Sequence, residues 1–298
     1  MSNVRLLITG ASGFLGKTVL RTAASQGVTV LGVGRRKLPD FQGLYQAMDL
    51  ENSEARQKLL QDFLPTHVLH LAWFVEHGDF WESSSNIDSM QMSLGFFEEF
   101  ATTKGVRFIG VGTCAEYDWC QPGPFSETAA LKPDSLYGLT KKALFEILSH
   151  RAIRQSVSFA WARIFYPFGP GESPKKLIPL LIKHAQAGQP LRLGPGTQKK
   201  DFIYVEDAAT ALLALVQSDV KGAINVGTGR GTSIREISAV VDELCSVNGL
   251  WQWGAQGAGR AEPDFLVAET QRLREEVMWV PRYDLKQSLA AYLQQGGD

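Results

Sequence analysis

Val4 to Gly16 reads VRLLITGASGFLG, and the rest of the chain is organised around this stretch. Val4, Leu6, Leu7 and Ile8 form a short apolar run closed by Gly10, and the residues beyond Gly16 take up helical periodicity. The segment is therefore a strand, a glycine turn and a helix start. Gly10 can adopt backbone angles closed to other residues, Gly13 puts no side chain before an approaching phosphate, and Gly16 lets the helix pack close to the strand. At the helix start, free N–H groups and the positive dipole end face an anion. An ordinary tight turn would also use such glycines. The strand before and the helix after favour a dinucleotide cradle, with Ser12, Phe14 and Leu15 as further contacts from the same loop.

The chain has 298 residues, enough for one large domain or two ordinary ones. A hydrophobic fraction of 44%, a charged fraction of 20% and a net charge of -1 describe a globular protein and give no basic excess for nucleic acid. The sequence runs straight into its first strand without an apolar leader, and no apolar run approaches the roughly 18 residues that cross a bilayer. A cytoplasmic protein without membrane partners is expected. Cys114, Cys120 and Cys245 have neither disulfide nor metal-type spacing, so three reduced thiols and no metal site are expected.

After the glycine loop, a helix over 18–25 leads to a strand, Val28 to Val33, that ends at Gly34-Arg35-Arg36. In dinucleotide folds this tip lies near the adenosine ribose, where an acid suits the 2′-hydroxyl of NAD and arginine the 2′-phosphate of NADP. No Asp or Glu stands at the tip here and two arginines do, which favours NADP over NAD. A strand-like piece from Leu44 to Met48 brings Asp49 and Leu50 toward the adenine. A helix over 55–63 and a buried strand over 67–71 follow, ending at Leu71-Ala72-Trp73. A long helix from about 85 to 104 has Met90, Leu94, Phe97 and Ala101 on one apolar face, read as core or subunit interface. The next strand, Val106 to Val111, ends at Gly112-Thr113-Cys114. This alternation predicts a parallel sheet with helices on both faces, so Gly10, Arg35, Ala72 and Thr113 share the crevice at the carboxyl ends of the strands.

The Gly- and Pro-rich stretch from 118 to 134 reads as a functional loop, and a helix over 135–150 carries Tyr137 and Lys141. A strand over 156–164 follows. Beyond it the regular rhythm is lost. Helices are expected over 177–187, 205–216, 233–247 and 285–293, short strands over 191–193, 201–204 and 223–226, a basic loop over 197–200 and a lone strand over 265–267. The organisation expected is an α/β dinucleotide-binding domain over 1–165, rejoined by about 201–228, and a smaller mixed substrate domain over 166–200 and 229–298.

Thr113, Tyr137 and Lys141 make a chemical set. Tyr137 and Lys141, four apart, lie on the same helical face. A phenol of pKa about 10 is a poor acid or base at neutral pH, and a neighbouring ammonium lowers that value. Thr113, across the crevice, is placed to hydrogen-bond the substrate oxygen that Tyr137 protonates or deprotonates.

Taken together, these residues resemble the extended short-chain dehydrogenases/reductases that act on nucleotide sugars. TGxxGxxG matches Thr9 to Gly16, HLA matches His70-Leu71-Ala72, and the Ser/Thr four residues before a Tyr matches Thr113 before Tyr117. YxxxK matches Tyr137 and Lys141, GPG matches Gly169 to Gly171, RDFxYVxD resembles Lys200 to Asp207, and the NVG turn matches Asn225 to Gly227. The resemblance implies a doubly wound Rossmann domain, a nicotinamide cofactor, a nucleoside-diphosphate sugar and a homodimer formed through the helices around 85–104 and 135–150.

Departures from the family pattern bear on the substrate. The 4,6-dehydratases of the family carry Asp-Glu after the Thr, where this chain has Cys114-Ala115, so dehydration is not expected. Tyr166 stands where many members have an Asn that holds the sugar nucleotide, Lys200 where Arg is usual, and Arg260 resembles a late arginine that meets a diphosphate. The run from Gly112 to Tyr117 and the run from Arg163 to Pro170 look most like the 4-ketoreductases that finish nucleotide-linked 6-deoxyhexoses. The expected reaction is NADPH-dependent reduction of such a keto sugar. The alternatives are an epimerase with bound NAD and a non-catalytic NADP-binding sensor or scaffold.

Overall fold

A computed structural model describes residues 4–76, 78–103, 105–254 and 263–295. The elements, in chain order, begin with β1 (Arg5–Thr9), α1 (Phe14–Ser25), β2 (Thr29–Gly34), β3 (Leu44–Ala47), α2 (Ser53–Phe63), β4 (His67–His70), α3 (Ser85–Thr102) and β5 (Arg107–Thr113). A 3₁₀ turn over Cys114–Glu116 leads to α4 (Leu136–Gln155), β6 (Ser158–Ile164), β7 (Tyr166–Phe168), α5 (Leu177–Ala187), β8 (Leu191–Arg192), β9 (Lys199–Lys200) and β10 (Phe202–Tyr204). The remainder is α6 (Val205–Gln217), β11 (Gly222–Val226), β12 (Thr232–Ser233), α7 (Ile234–Cys245), β13 (Trp251–Gln252), β14 (Phe265–Leu266), α8 (Gln271–Glu275) and α9 (Leu285–Gln295).

Seven strands form one sheet in the order β11-β6-β5-β4-β1-β2-β3, every pair parallel. The period-2 alternation of a strand explains how this sheet is covered on both faces. Leu6 and Ile8 of β1 point into a core with α1 and α6, while Leu7 points into the opposite core with α2, α3 and α4. On β6, Ala160 and Ala162 join the first core, and Phe159 and Trp161 the second. Leu6, Leu7 and Ile8 are at most 1% exposed, and burying each contributes about 2 kcal/mol. A third core lies outside the main sheet, where α5, α7 and α9 close over Leu181, Ile237 and Leu289.

The strand–helix alternation through β6 follows the sequence reading, with several differences. Helix α1 starts at Phe14, directly on the glycine loop, and α4 runs on to Gln155. The strand expected to be alone is not. Phe265–Leu266 pairs with Lys199–Lys200, which was expected to be loop and is the middle strand of a three-stranded sheet. Strands of two residues are too short to carry a period. On α3 the buried strip is Asn86, Ser89, Ser93, Phe96, Phe97 and Phe100, whereas Met90, Leu94 and Ala101 are only partly buried. Polar residues occupy the inner face because each meets a partner there: Asn86 meets Trp73, Ser89 the Phe74 N–H, and Ser93 His70.

Candidate active site

The carboxyl ends of β1, β2, β4, β5 and β6 open onto one crevice of about 1620 Å³. A single small ligand takes roughly 300–1,000 Å³. The crevice therefore has room for two ligands lying end to end.

At one end is the glycine loop. Gly10 has φ +66°, and a Cβ on it would lie 2.7 Å from the Ala72 nitrogen; a Cβ on Gly16 would lie 2.2 Å from the Gly10 carbonyl oxygen. Both contacts exclude any side chain, which is why β1, the loop and β4 approach so closely. Gly13 is the N-cap of α1 and supplies no side-chain cap, so the first-turn N–H groups stay available beside the crevice-lining Ser12, Phe14 and Leu15. This bare backbone cradle at a helix N-terminus fits a dinucleotide pyrophosphate. Arg35, Arg36, Asp49 and Leu50 form the adjoining wall, with Leu71 and Ala72 across from them. Arg36 donates to the Ser12 carbonyl at 2.8 Å and its own carbonyl accepts from the Tyr45 hydroxyl, tying the β2 tip to the loop. Arg35 is exposed.

At the other end Thr113 finishes β5 and Tyr137 stands in the first turn of α4, where Ser135 caps the helix by accepting from the Gly138 N–H. The Thr113 hydroxyl is close enough to the phenol to favour its ionised form. Loop residues Phe80 and Trp81 close on the phenol, the Phe80 ring edge-on with centroids 4.9 Å apart, and the Tyr137 N–H donates to the Trp81 carbonyl at 3.0 Å. Lys141, one turn on, is 5% exposed and donates to the Val111 carbonyl at 2.7 Å. Burial pushes its pKa down to about 7. Burial also raises the Tyr137 phenol well above its ordinary value, with the Thr113 hydrogen bond opposing that only in part. The expected lowering of the Tyr137 pKa by Lys141 is not seen: desolvation outweighs the stabilising contact, which comes from Thr113 and not from Lys141.

Glu116 is the carboxylate nearest in sequence to Thr113, and it faces away from the crevice. Wholly buried, it accepts from the Arg163 guanidinium at 2.8 Å, the Trp161 indole at 2.9 Å and the Thr113 N–H at 2.9 Å. Cys114 and Ala115 take the crevice wall instead. Tyr117 is buried with its hydroxyl on Asn225 at 2.6 Å, a fold contact joining the segment after β5 to β11.

Tyr166 and Lys200 come together, the ammonium 4.8 Å from the ring centroid, and both line the crevice. Tyr166 lies in β7, which pairs with β10, and Lys200 lies in β9 immediately before it. Asp201, the acid beside Lys200, accepts from Thr228, Gly229 and Ala268 backbone groups and fastens this corner. Arg260 lies outside the described residues. Sequence reasoning missed Glu172 and Trp73. Glu172 is a crevice carboxyl with 3% side-chain exposure that accepts from the Gly169 N–H at 3.2 Å, and burial raises its pKa to about 7. Its one signal is an acid directly after the Gly169-Pro170-Gly171 turn.

With fold and site in view, comparison with known proteins identifies the class: the chain belongs to the NAD dependent epimerase/dehydratase family, whose model matches residues 6–227. It is an NAD(P)-dependent enzyme of the extended short-chain dehydrogenase/reductase type. A UDP-glucose 4-epimerase of Rhizobium leguminosarum bv. trifolii is 26% identical over 326 aligned positions, covering 96% of this chain and 95% of the relative. A dTDP-glucose 4,6-dehydratase of Xanthomonas campestris is also 26% identical, covering 95% and 90%. Among solved structures, MoeE5 in complex with UDP-glucuronic acid and NAD superposes with a TM-score of 0.85 at 26% identity, covering 97% of this chain and 98% of that one. Among the described residues no helix is long and apolar enough to cross a membrane.

Proposed function

We propose that this enzyme reduces a keto group, at C4, of a nucleoside-diphosphate 6-deoxy-keto-hexose with NADPH. The observation that carries the reading is the β2 tip, where Arg35 and Arg36 line the crevice beside the glycine loop and no acid stands at the tip to take a ribose 2′-hydroxyl. A net reductase draws on NADPH. The dehydratase chemistry of some relatives is disfavoured separately, because Glu116 is committed to Arg163, Trp161 and Thr113 and Cys114-Ala115, not carboxylates, follow Thr113.

In this reading Gly10, Ser12, Gly13, Phe14, Leu15 and Gly16 hold the pyrophosphate, Arg35 and Arg36 the 2′-phosphate, Asp49 and Leu50 the adenine side, and Leu71 and Ala72 the far wall. The cofactor supplies a hydride. Tyr137 gives its proton to the carbonyl oxygen, Thr113 orients that oxygen, and Lys141 holds ribose hydroxyls. Tyr166 and Lys200 take the sugar nucleotide, in a lobe formed by 166–200 and 229–298. Ile87, Leu139 and Ile147 are exposed apolar residues on α3 and α4, and we assign that helix pair to a homodimer contact.

A second reading, epimerisation by transient oxidation on bound NAD, is favoured by the similarity to UDP-glucose 4-epimerases. One experiment separates the two. The purified protein is analysed for bound nucleotide, then offered NADPH with a panel of nucleotide 4-keto-6-deoxy sugars while cofactor oxidation is followed. Stoichiometric NADPH consumption supports the reductase. Tightly held NAD and turnover without added reductant would establish the epimerase instead.

A further inference from the structure

Trp73 follows Ala72 just beyond the end of β4, and the face of its indole ring lies 3.7 Å from the Lys141 ammonium. Its ring N–H donates to Asn86 Oδ1 at 2.9 Å. Asn86 has no exposed surface, and its amide group donates to the Phe80 and Ser83 carbonyls at 2.6 and 2.9 Å. Every polar group of that side chain is engaged, so the amide cannot turn and the tilt of the indole is fixed. The ammonium thus sits among the Trp73 face, the Val111 carbonyl at 2.7 Å and, farther off, the Trp161 ring at 5.9 Å.

We propose that Trp73 is a positioning residue: its ring holds Lys141 charged and in place at the crevice wall, and Asn86 holds the ring. The inference rests on the reading of Lys141 as the group that binds ribose hydroxyls. Such a group needs its proton, and burial drives Lys141 toward losing it near neutral pH. The charged and titratable groups around it do not restore the balance. Glu116, beyond β5, favours the charge but is already paired with Arg163. His70 of β4, fixed between Thr9 and Ser93, is held neutral by burial, its pKa pushed down to about 3. Tyr137, on the same helix, has its pKa raised by burial and brings no charge at neutral pH. A desolvated indole face is the best side-chain surface for a cation when no free carboxylate is at hand.

The test reads the ionisation of Lys141 directly. Protein labelled with ¹³C-lysine is titrated by NMR, the Lys141 signal being identified by its loss in Lys141→Met. Trp73→Leu is expected to lower the titration midpoint by about 1 pH unit and Trp73→Phe by less. NADPH affinity of Trp73→Leu, measured by fluorescence at pH 6 and pH 8.5, is expected to fall about tenfold more at the higher pH. A folded Trp73→Leu protein with an unmoved midpoint overturns the proposal, showing a ring that only fills space. If the leucine variant does not fold, Trp73→Phe decides by the same criterion. Lys141→Met separates the two claims. Undiminished NADPH binding by that variant refutes the role given to Lys141, while the midpoint shift would still report the indole contact.

Discussion

Glu116 and Arg163 form a buried ion pair at 2.8 Å, with 0% and 1% side-chain exposure, bridging the segment after β5 to β6 directly behind the Thr113–Tyr137 pair. Removing one member of such a pair leaves an uncompensated charge, a cost of about 3–5 kcal/mol. Glu116→Ala should therefore lower the urea midpoint by that equivalent with an unchanged m-value. A near-neutral effect would show that Arg163 finds water or another acid.

Tyr137→Phe keeps the ring packing against Phe80 and Trp81 and removes only the hydroxyl. Proton delivery by a positioned side chain is worth about 10²–10⁴-fold, so kcat should fall by that range while NADPH binding, followed by fluorescence, changes little. Undiminished turnover would remove Tyr137 from the chemistry.

Lys141→Met should make the protein more stable at neutral pH. The folded-state pKa of about 7 lies below the ordinary value of 10.5, so below about pH 7 the folded protein carries the full penalty of a buried charge. Between pH 7 and 10.5 the unfolded state binds more protons, wild-type stability rises with pH, and the penalty fades. The methionine variant lacks that penalty but leaves the Val111 carbonyl without its donor, which costs about 1–3 kcal/mol. A net gain of about 2 kcal/mol at pH 6 that shrinks by pH 9 is expected from denaturation curves at the two values. A gain independent of pH would contradict the linkage.

Gly16→Ala forces a Cβ to within 2.2 Å of the Gly10 carbonyl, a backbone atom that cannot step aside. Dinucleotide affinity should drop at least tenfold as the loop is pushed open. Isothermal titration with NADPH and NAD checks this, and retained affinity would mean the loop is not the cradle.

Replacing Arg35 and Arg36 with Asp and Ser should reverse the cofactor preference, weakening NADPH more than NAD. Arg36 also ties the β2 tip to the Ser12 carbonyl, so a small loss common to both nucleotides is expected besides. An unaltered NADPH:NAD ratio would argue against a 2′-phosphate site.

The dinucleotide half was legible because its signals are local. Leu6 to Ile8 form a buried run, and Gly10 and Gly16 stand where backbone touches backbone. What escaped was decided by distant partners. Glu116 could have faced the crevice, but Arg163, 47 residues later, turns it inward. On α3 the apolar face read from Met90, Leu94, Phe97 and Ala101 gave no sign of Asn86, Ser89 and Ser93, which are buried because Trp73, the Phe74 N–H and His70 provide them with bonds. Lys199 and Lys200 read as a basic loop because their strand partners, Thr232–Ser233 and Phe265–Leu266, lie far along the chain. The direction of the Tyr137 pKa shift depended on the balance between burial and charge, which spacing does not encode.

One of the two edge strands of the main sheet, β11, pairs with β6 only after the chain has left the sheet, built α5 and the short strands, and returned through α6. During synthesis, β6 therefore emerges with an open hydrogen-bonding edge that stays uncovered until residue 226 has cleared the ribosome. A nascent chain from which β6 has emerged but Val226 has not exposes that edge next to Trp161 and Ala162, which makes this interval the one in which a folding helper has most to protect.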